Sequence, residues 1–214
     1  MNIRIGYETL YTYAKPVSFS PHVYRLFPKV DPDRAVRRLE FKTNPDAVVH
    51  FRRDLFDNET ASCFYPERSA RLAVSLHIEL EVKEKNAFGF LLAAHAVEFP
   101  FTYKPEEMRA LIPYLATEAF DGLPFWQPPV APAPTMQVLT SLNGALHGNL
   151  KYAQRPEGAA FSPGETLARG GGACRDFAVL LAAELRRHGV AARLVSGYLC
   201  EFGRQERRAA LTSS

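Results

Sequence analysis

Between Leu72 and Val82 every second residue is apolar: Leu72, Val74, Leu76, Ile78, Leu80 and Val82. That period builds a strand with one apolar face, and such a face needs a second layer to cover it. The pattern continues on both sides. Ile3, Ile5, Tyr7, Thr9 and Tyr11 alternate in the same way, and Val36, Leu39, Phe41 and Val48–Phe51 form short bursts between Asp-Pro and Asn-Pro turn signals. Residues 51–64 read as a hairpin with Asp57-Asn58 as the turn pair, because both residues tolerate positive φ. Residues 1–95 are therefore expected to form an antiparallel, sandwich-like β-domain.

The period then changes. Residues 96–134 carry prolines at 100, 105, 113, 124, 128, 129, 132 and 134, the pattern of a rigid connector with one short helix over Glu106–Phe120. The only tryptophan, Trp126, lies in it and is expected to pack the connector onto a neighbour. From Thr135 the spacing is helical: Val138, Leu139, Leu142, Leu146 and Leu150 share a face, with Thr135 as a candidate cap. A short helical turn over Glu165–Arg169, three glycines and a second helix over Cys174–His188 follow, the latter with Phe177, Ala178, Leu180, Leu181, Ala182 and Leu185 as its apolar face. Gly189 is placed to close that helix, and Val190–Cys200 returns to strand character. The whole is an α+β chain.

Composition narrows the function. Lysine and arginine number 26 against 23 acids, a formal charge of +3, too mild for a nucleic-acid partner. No apolar run reaches membrane-spanning length, and the N-terminus has no apolar signal core. The three cysteines, Cys63, Cys174 and Cys200, suit a reducing compartment, so the expected address is the cytoplasm. No cysteine pair has zinc spacing and the six histidines are scattered, so neither metal nor other cofactor is expected.

Cys174 is the position that carries chemistry. It opens a helix directly after Gly170-Gly171-Gly172-Ala173, where amide N–H groups and the helix dipole favour a thiolate and could receive an oxyanion. The competing reading is a small buried cysteine, which is also the expectation for Cys63 and Cys200. A base is harder to find. His188 lies fourteen residues along the same helix, about 21 Å away, and His147 reads as a solvated polar-face residue.

The run Ser162-Pro163-Gly-Glu-Thr-Leu167, Gly170-Gly-Gly-Ala-Cys174-Arg175-Asp176-Phe177-Ala178 and Gly189-Val-Ala-Ala-Arg193-Leu-Val-Ser196-Gly197-Tyr198 resembles the core motif of bacterial transglutaminase-like proteins. Tyr11-Thr-Tyr13, Pro16-Val17, Ser20-Pro-His22, Arg25-Leu26 and Asp54-Leu-Phe-Asp57-Asn58 resemble the β-rich domain that precedes that core in one bacterial branch. The resemblance implies a papain-like Cys-His-Asp triad that cleaves peptide or protein amides through a thioester and passes the acyl group to water or an amine. Relatives include crosslinking transglutaminases, cysteine proteases and peptide-deglycosylating enzymes. Cys174 matches the nucleophile, and Tyr152, read as lying on the preceding helix, matches an aromatic that shapes the oxyanion site, with plain core packing as the alternative.

The family's histidine follows the Gly-Tyr strand in a His-Ala-Trp-like segment, and its aspartate follows in an Asp-Pro-like one. Residues 199–214 contain neither. The expectation is a truncated core over 135–214, inactive for want of both partners. Such a core would expose apolar surface and a sheet edge, predicting homo-oligomers paired through Ala191–Cys200. Two other readings stand beside the enzyme: a non-catalytic peptide- or protein-binding scaffold that retains the fold, and a structural subunit completed by another chain.

Overall fold

The computed structural model describes residues 1–29, 31–84, 86, 89–117, 119–155 and 158–198. It divides into a β-unit, Met1–Gly89 together with Gly197 and Tyr198, and a helical unit, Phe90–Ser196. The 96–134 segment thus belongs with the helices, and the chain returns to the β-unit at Gly197, where Tyr198 Oη donates to the Leu26 carbonyl at 2.8 Å.

The β-unit holds two antiparallel three-stranded sheets. Strands β1 (Asn2–Val17), β2 (His22–Tyr24), β3 (Arg34–Asn44), β4 (Val48–Arg53), β5 (Glu59–Phe64) and β6 (Ser69–Val82) pair in the orders β1-β6-β3 and β2-β5-β4. The alternating stripe is the centre of the first sheet: Leu72, Val74, Leu76, Ile78 and Leu80 are buried, facing Tyr11, Thr9, Tyr7, Ile5 and Ile3 of β1 in register. On β3 the pairing slips by one residue between Val36 and Arg38. That bulge lets Val36, Leu39 and Phe41 stand opposite Leu80, Ile78 and Leu76 although their spacing breaks strict alternation. Ala61 and Cys63 of β5 pack with Leu72 and Val74 of β6, so the two sheets share one apolar cluster.

The predicted hairpin is β4–β5, closed by residues 54–58. Asp57 has φ 62°, while the Asp54 carboxylate accepts the N–H groups of Phe56 and Asn58, both at 2.9 Å. Those bonds, with the Asn58 side chain and Arg25, hold the Asp54 carboxyl down at about 2.

In the helical unit, β7 (Glu98–Phe99) pairs with β8 (Ala133–Pro134), and α1 (Pro105–Leu115), α2 (Thr135–Asn149), β9 (Lys151–Tyr152), α3 (Pro163–Ala168), β10 (Gly171–Gly172) and α4 (Cys174–Arg187) complete it. Phe99, Leu123, Trp126, Val138, Leu142, Leu146, Leu150 and Leu180 form its core. Trp126 lies among them and donates from Nε1 to Ser141 Oγ at 3.2 Å.

Four sequence expectations are corrected. Helix α1 stops at Leu115, not Phe120: Pro113 has no N–H for the carbonyl one turn back, and Ala116 turns extended (φ −60°, ψ 125°). Thr135 does not cap α2. It is the first helical residue, its hydroxyl makes no cap bond, and Pro134 holds the cap position. Ala178 is exposed, and the buried side of α4 instead includes two acids, Asp176 and Glu184. Residues 190–198 form no strand: the N–H groups of Ala191 and Ala192 bond to Tyr103 Oη and the Tyr114 carbonyl, both at 3.0 Å. Cys200 lies outside the described residues. No helix among the described residues is long and apolar enough to cross a membrane.

Candidate active site

Cys174 is the first residue of α4, and its side chain is exposed. Three local devices put it there. Helix α3 is closed at its start by a reciprocal pair, in which Glu165 N–H donates to Ser162 Oγ at 3.3 Å and Ser162 N–H donates to Glu165 Oε2 at 2.9 Å. It ends through Gly170 at φ 64°, a left-handed position that glycine takes without strain. Parallel pairing of β9 and β10 then seats Gly171 opposite Lys151 and Gly172 opposite Tyr152. A Cβ on Gly171 would stand 2.1 Å from the Lys151 carbonyl oxygen, and one on Gly172 would stand 2.7 Å from Asp176 Oδ2. The glycines therefore admit neighbouring groups of the chain itself.

Asp176, fully buried, fixes the start of the helix. Its Oδ2 accepts the Ala173 N–H at 2.7 Å, and its Oδ1 accepts Arg155 Nη2 at 2.7 Å and the Phe161 N–H at 2.8 Å. Arg155 also donates to the Ala159 carbonyl at 2.7 Å and lies 3.8 Å from the centre of the Phe161 ring. Arg175 Nη1 returns to the Arg155 carbonyl at 2.7 Å. Burial pushes the Asp176 carboxyl up, but the Arg155 bond and the two N–H groups outweigh it and hold the group down at about 2.

This shift has a sign in acid. An unfolded aspartate titrates near about 3.9, so between about pH 4 and about pH 2 the unfolded chain binds more protons than the folded one. The stabilisation is fully present above that window and is lost as pH falls through it. Followed by Trp126 fluorescence, unfolding of the helical unit should become easier from about pH 4 downward, and Asp176→Asn should flatten that part of the profile.

The other predicted site residue is Tyr152. It lies in β9, not on the helix before it, and at 65% exposure it is not core packing. Its ring stands edge-on to Phe177, 6.5 Å between centroids. Pairing with Gly172 brings it to the strand two residues ahead of Cys174. The histidines are elsewhere. His147 is exposed in the last turn of α2, and His188, at the far end of α4, bonds Glu184 Oε1 at 2.9 Å beside Trp126. Among the described residues no group of three or more His, Cys, Asp and Glu side chains could hold a metal ion.

Sequence reasoning missed Arg155, Phe161 and the role of Asp176. Asp176 carried a signal, since an acid at the third helical position is placed to reach back to the cap N–H. Arg155 carried none, because its contact with α4 is made only through the fold.

Comparison with known proteins bears on the fold and the family. Residues 3–81 match the bacterial transglutaminase-like N-terminal region, and residues 130–210 match the transglutaminase-like superfamily. The fold is similar to the crystal structure of a putative cysteine protease from Cytophaga hutchinsonii, with TM-score 0.56 and 10% identity over 89% of this chain and 65% of that one. The chain therefore spans less than two thirds of that protein's length. No curated protein matches. The two matched segments cover most of the chain in the expected order: a bacterial transglutaminase-like N-terminal region, followed by a segment that matches the transglutaminase-like superfamily.

Proposed function

We propose that the chain carries the nucleophile of an amide-processing cysteine enzyme, with Cys174 attacking the carbonyl of a peptide or protein substrate. Sulfur bonds to the carbonyl carbon, the C–N bond breaks, the amine leaves with a proton, and the resulting thioester passes its acyl group to water or to a second amine. The observation that carries this reading is the exposure of Cys174 at the first residue of a fourteen-residue helix, where backbone amides and the dipole favour negative charge. Tyr152, exposed on the neighbouring strand, fits a role in shaping the oxyanion site. Residues 199–214 hold neither histidine nor aspartate. General-base help, worth about 10²–10⁴-fold, is therefore not supplied by that segment, and turnover by these residues alone is expected to be lost. A cytoplasmic, reducing address belongs to the same reading, since a nucleophilic thiol must stay reduced.

The test is site-resolved alkylation by iodoacetamide at pH 7, read by peptide mass spectrometry. Cys63 is fully buried, and burial pushes its thiol up, so it is doubly protected. Cys174 should react at least about a hundredfold faster, and Cys174→Ala should remove the fast phase. Equal rates at the two sites would sink the nucleophile and leave the peptide-binding scaffold as the better reading.

A further inference from the structure

The Cys174 thiol shares its helix turn with a buried carboxylate two residues along. The carboxylate is fully buried, whereas the thiol is exposed. The carboxylate is needed, because its Oδ2 takes the Ala173 N–H at 2.7 Å and so sets the backbone immediately before the cysteine. A buried charge of this kind requires a partner of opposite sign.

That partner comes from outside the helix. Arg155, in the segment after β9, gives one N–H to Asp176 Oδ1 at 2.7 Å, and its planar head lies against the Phe161 ring at 3.8 Å. Phe161 is in turn tied by its own N–H to the same carboxylate oxygen at 2.8 Å. Arg175, the residue after the cysteine, closes the ring by bonding the Arg155 carbonyl at 2.7 Å. These bonds join the charged groups of Arg155, Asp176 and Arg175, and Arg169 also lies over the Phe161 ring at 4.4 Å. The residues just before and just after Cys174 are thus both tied, directly or through Asp176, to the 155–161 segment.

We infer that Arg155 is a positioning residue for Cys174: acting through Asp176, it holds the turn that carries the thiol. This rests on the nucleophile reading of Cys174, and the two fail differently. If Cys174 of the parent chain alkylates no faster than Cys63, the nucleophile reading falls. If the parent is fast and the variants below do not change it, only the role of Arg155 falls.

The experiment compares second-order rates of Cys174 alkylation by iodoacetamide in the full 214-residue chain and its variants, each first shown to be folded by circular dichroism and Trp126 fluorescence. Arg155→Gln leaves Asp176 without its guanidinium and loosens the turn, and the rate at pH 7 should fall about tenfold. Asp176→Asn should fall by a similar factor, because one amide oxygen cannot serve both the Ala173 N–H and the Arg155 and Phe161 donors, and it serves as the deciding variant if Arg155→Gln does not fold. The double variant Arg155→Gln/Asp176→Asn should be within about threefold of the slower single variant, because both changes break the same link. Losses at two independent sites would instead multiply. An unchanged rate in folded Arg155→Gln, an unchanged rate in folded Asp176→Asn, or a double variant slowed by the product of the two single losses would each overturn the inference.

Discussion

Replacing Gly171 with alanine should destabilise the helical unit by about 3 kcal/mol, among the largest single effects the chain can show. The added Cβ meets the Lys151 carbonyl oxygen at 2.1 Å and that residue's carbonyl carbon and nitrogen at 3.0 and 3.1 Å. All three are backbone atoms, so no side chain can swing aside. Relief requires β10 to part from β9, which breaks the bonds from Lys151 N–H to the Gly170 carbonyl and from Ala153 N–H to the Gly172 carbonyl, both at 2.9 Å. Only Ala173 separates the cysteine from β10, so its alkylation rate should fall with stability. Gly172→Ala is expected to act by another route, pressing on Asp176 Oδ2 at 2.7 Å and so disturbing the Ala173 contact. Gly144→Ala is the matched control. Nothing lies within 4 Å of a Cβ there, and alanine in the interior of α2 should stabilise by about 0.5–1 kcal/mol. Urea unfolding followed by Trp126 fluorescence separates the three. A Gly171→Ala protein as stable as the parent would show that the pairing does not hold the site.

The elements that were legible in the sequence are those whose own period decides them. The stripe from Leu72 to Val82 became the central strand of its sheet with its apolar residues buried, because strand geometry alone assigns every second side chain to one face. Helices α2 and α4 were legible for the same reason at the longer period. What failed depended on partners. Val190–Cys200 has a strand's composition, yet Arg186, Tyr103 and Tyr114 take up the backbone groups at Ala191 and Ala192. Thr135 has a capping side chain but begins the helix itself, one position past the cap held by Pro134, with its N–H bonded back to the Val97 carbonyl at 2.9 Å. At the site, the glycines and Cys174 were visible as a local motif, and the arginine that balances Asp176 was not. Its contact spans 21 residues and depends on the path of the intervening chain.

Leu180→Ala should cost the helical unit about 3 kcal/mol, within the range for emptying a leucine site in a packed core. Leu180 is fully buried and joins α4 to Leu142, Leu146 and Trp126 in one cluster. Few other side chains of α4 can compensate, because two of its buried positions, Asp176 and Glu184, are acids whose contacts are polar. Phe177, Leu181 and Leu185 pack against the same cluster only partly buried, and Glu184 bonds Arg187 and His188 at its own end of the helix. Removing three carbons at Leu180 leaves a gap that these partly buried side chains do not fill. Ile112→Ala, at a site 63% exposed on α1, changes the same kind of side chain and should stay within about 0.5 kcal/mol. Trp126 is the only tryptophan and lies in the affected cluster, so its fluorescence reports this unit directly. Under conditions where Leu180→Ala is still folded, Cys174 should alkylate within about threefold of the parent, because the thiol is set by the Ala173–Asp176 contact at the helix start. A stability loss below about 1 kcal/mol would mean that α4 is seated by its other contacts and not by this one.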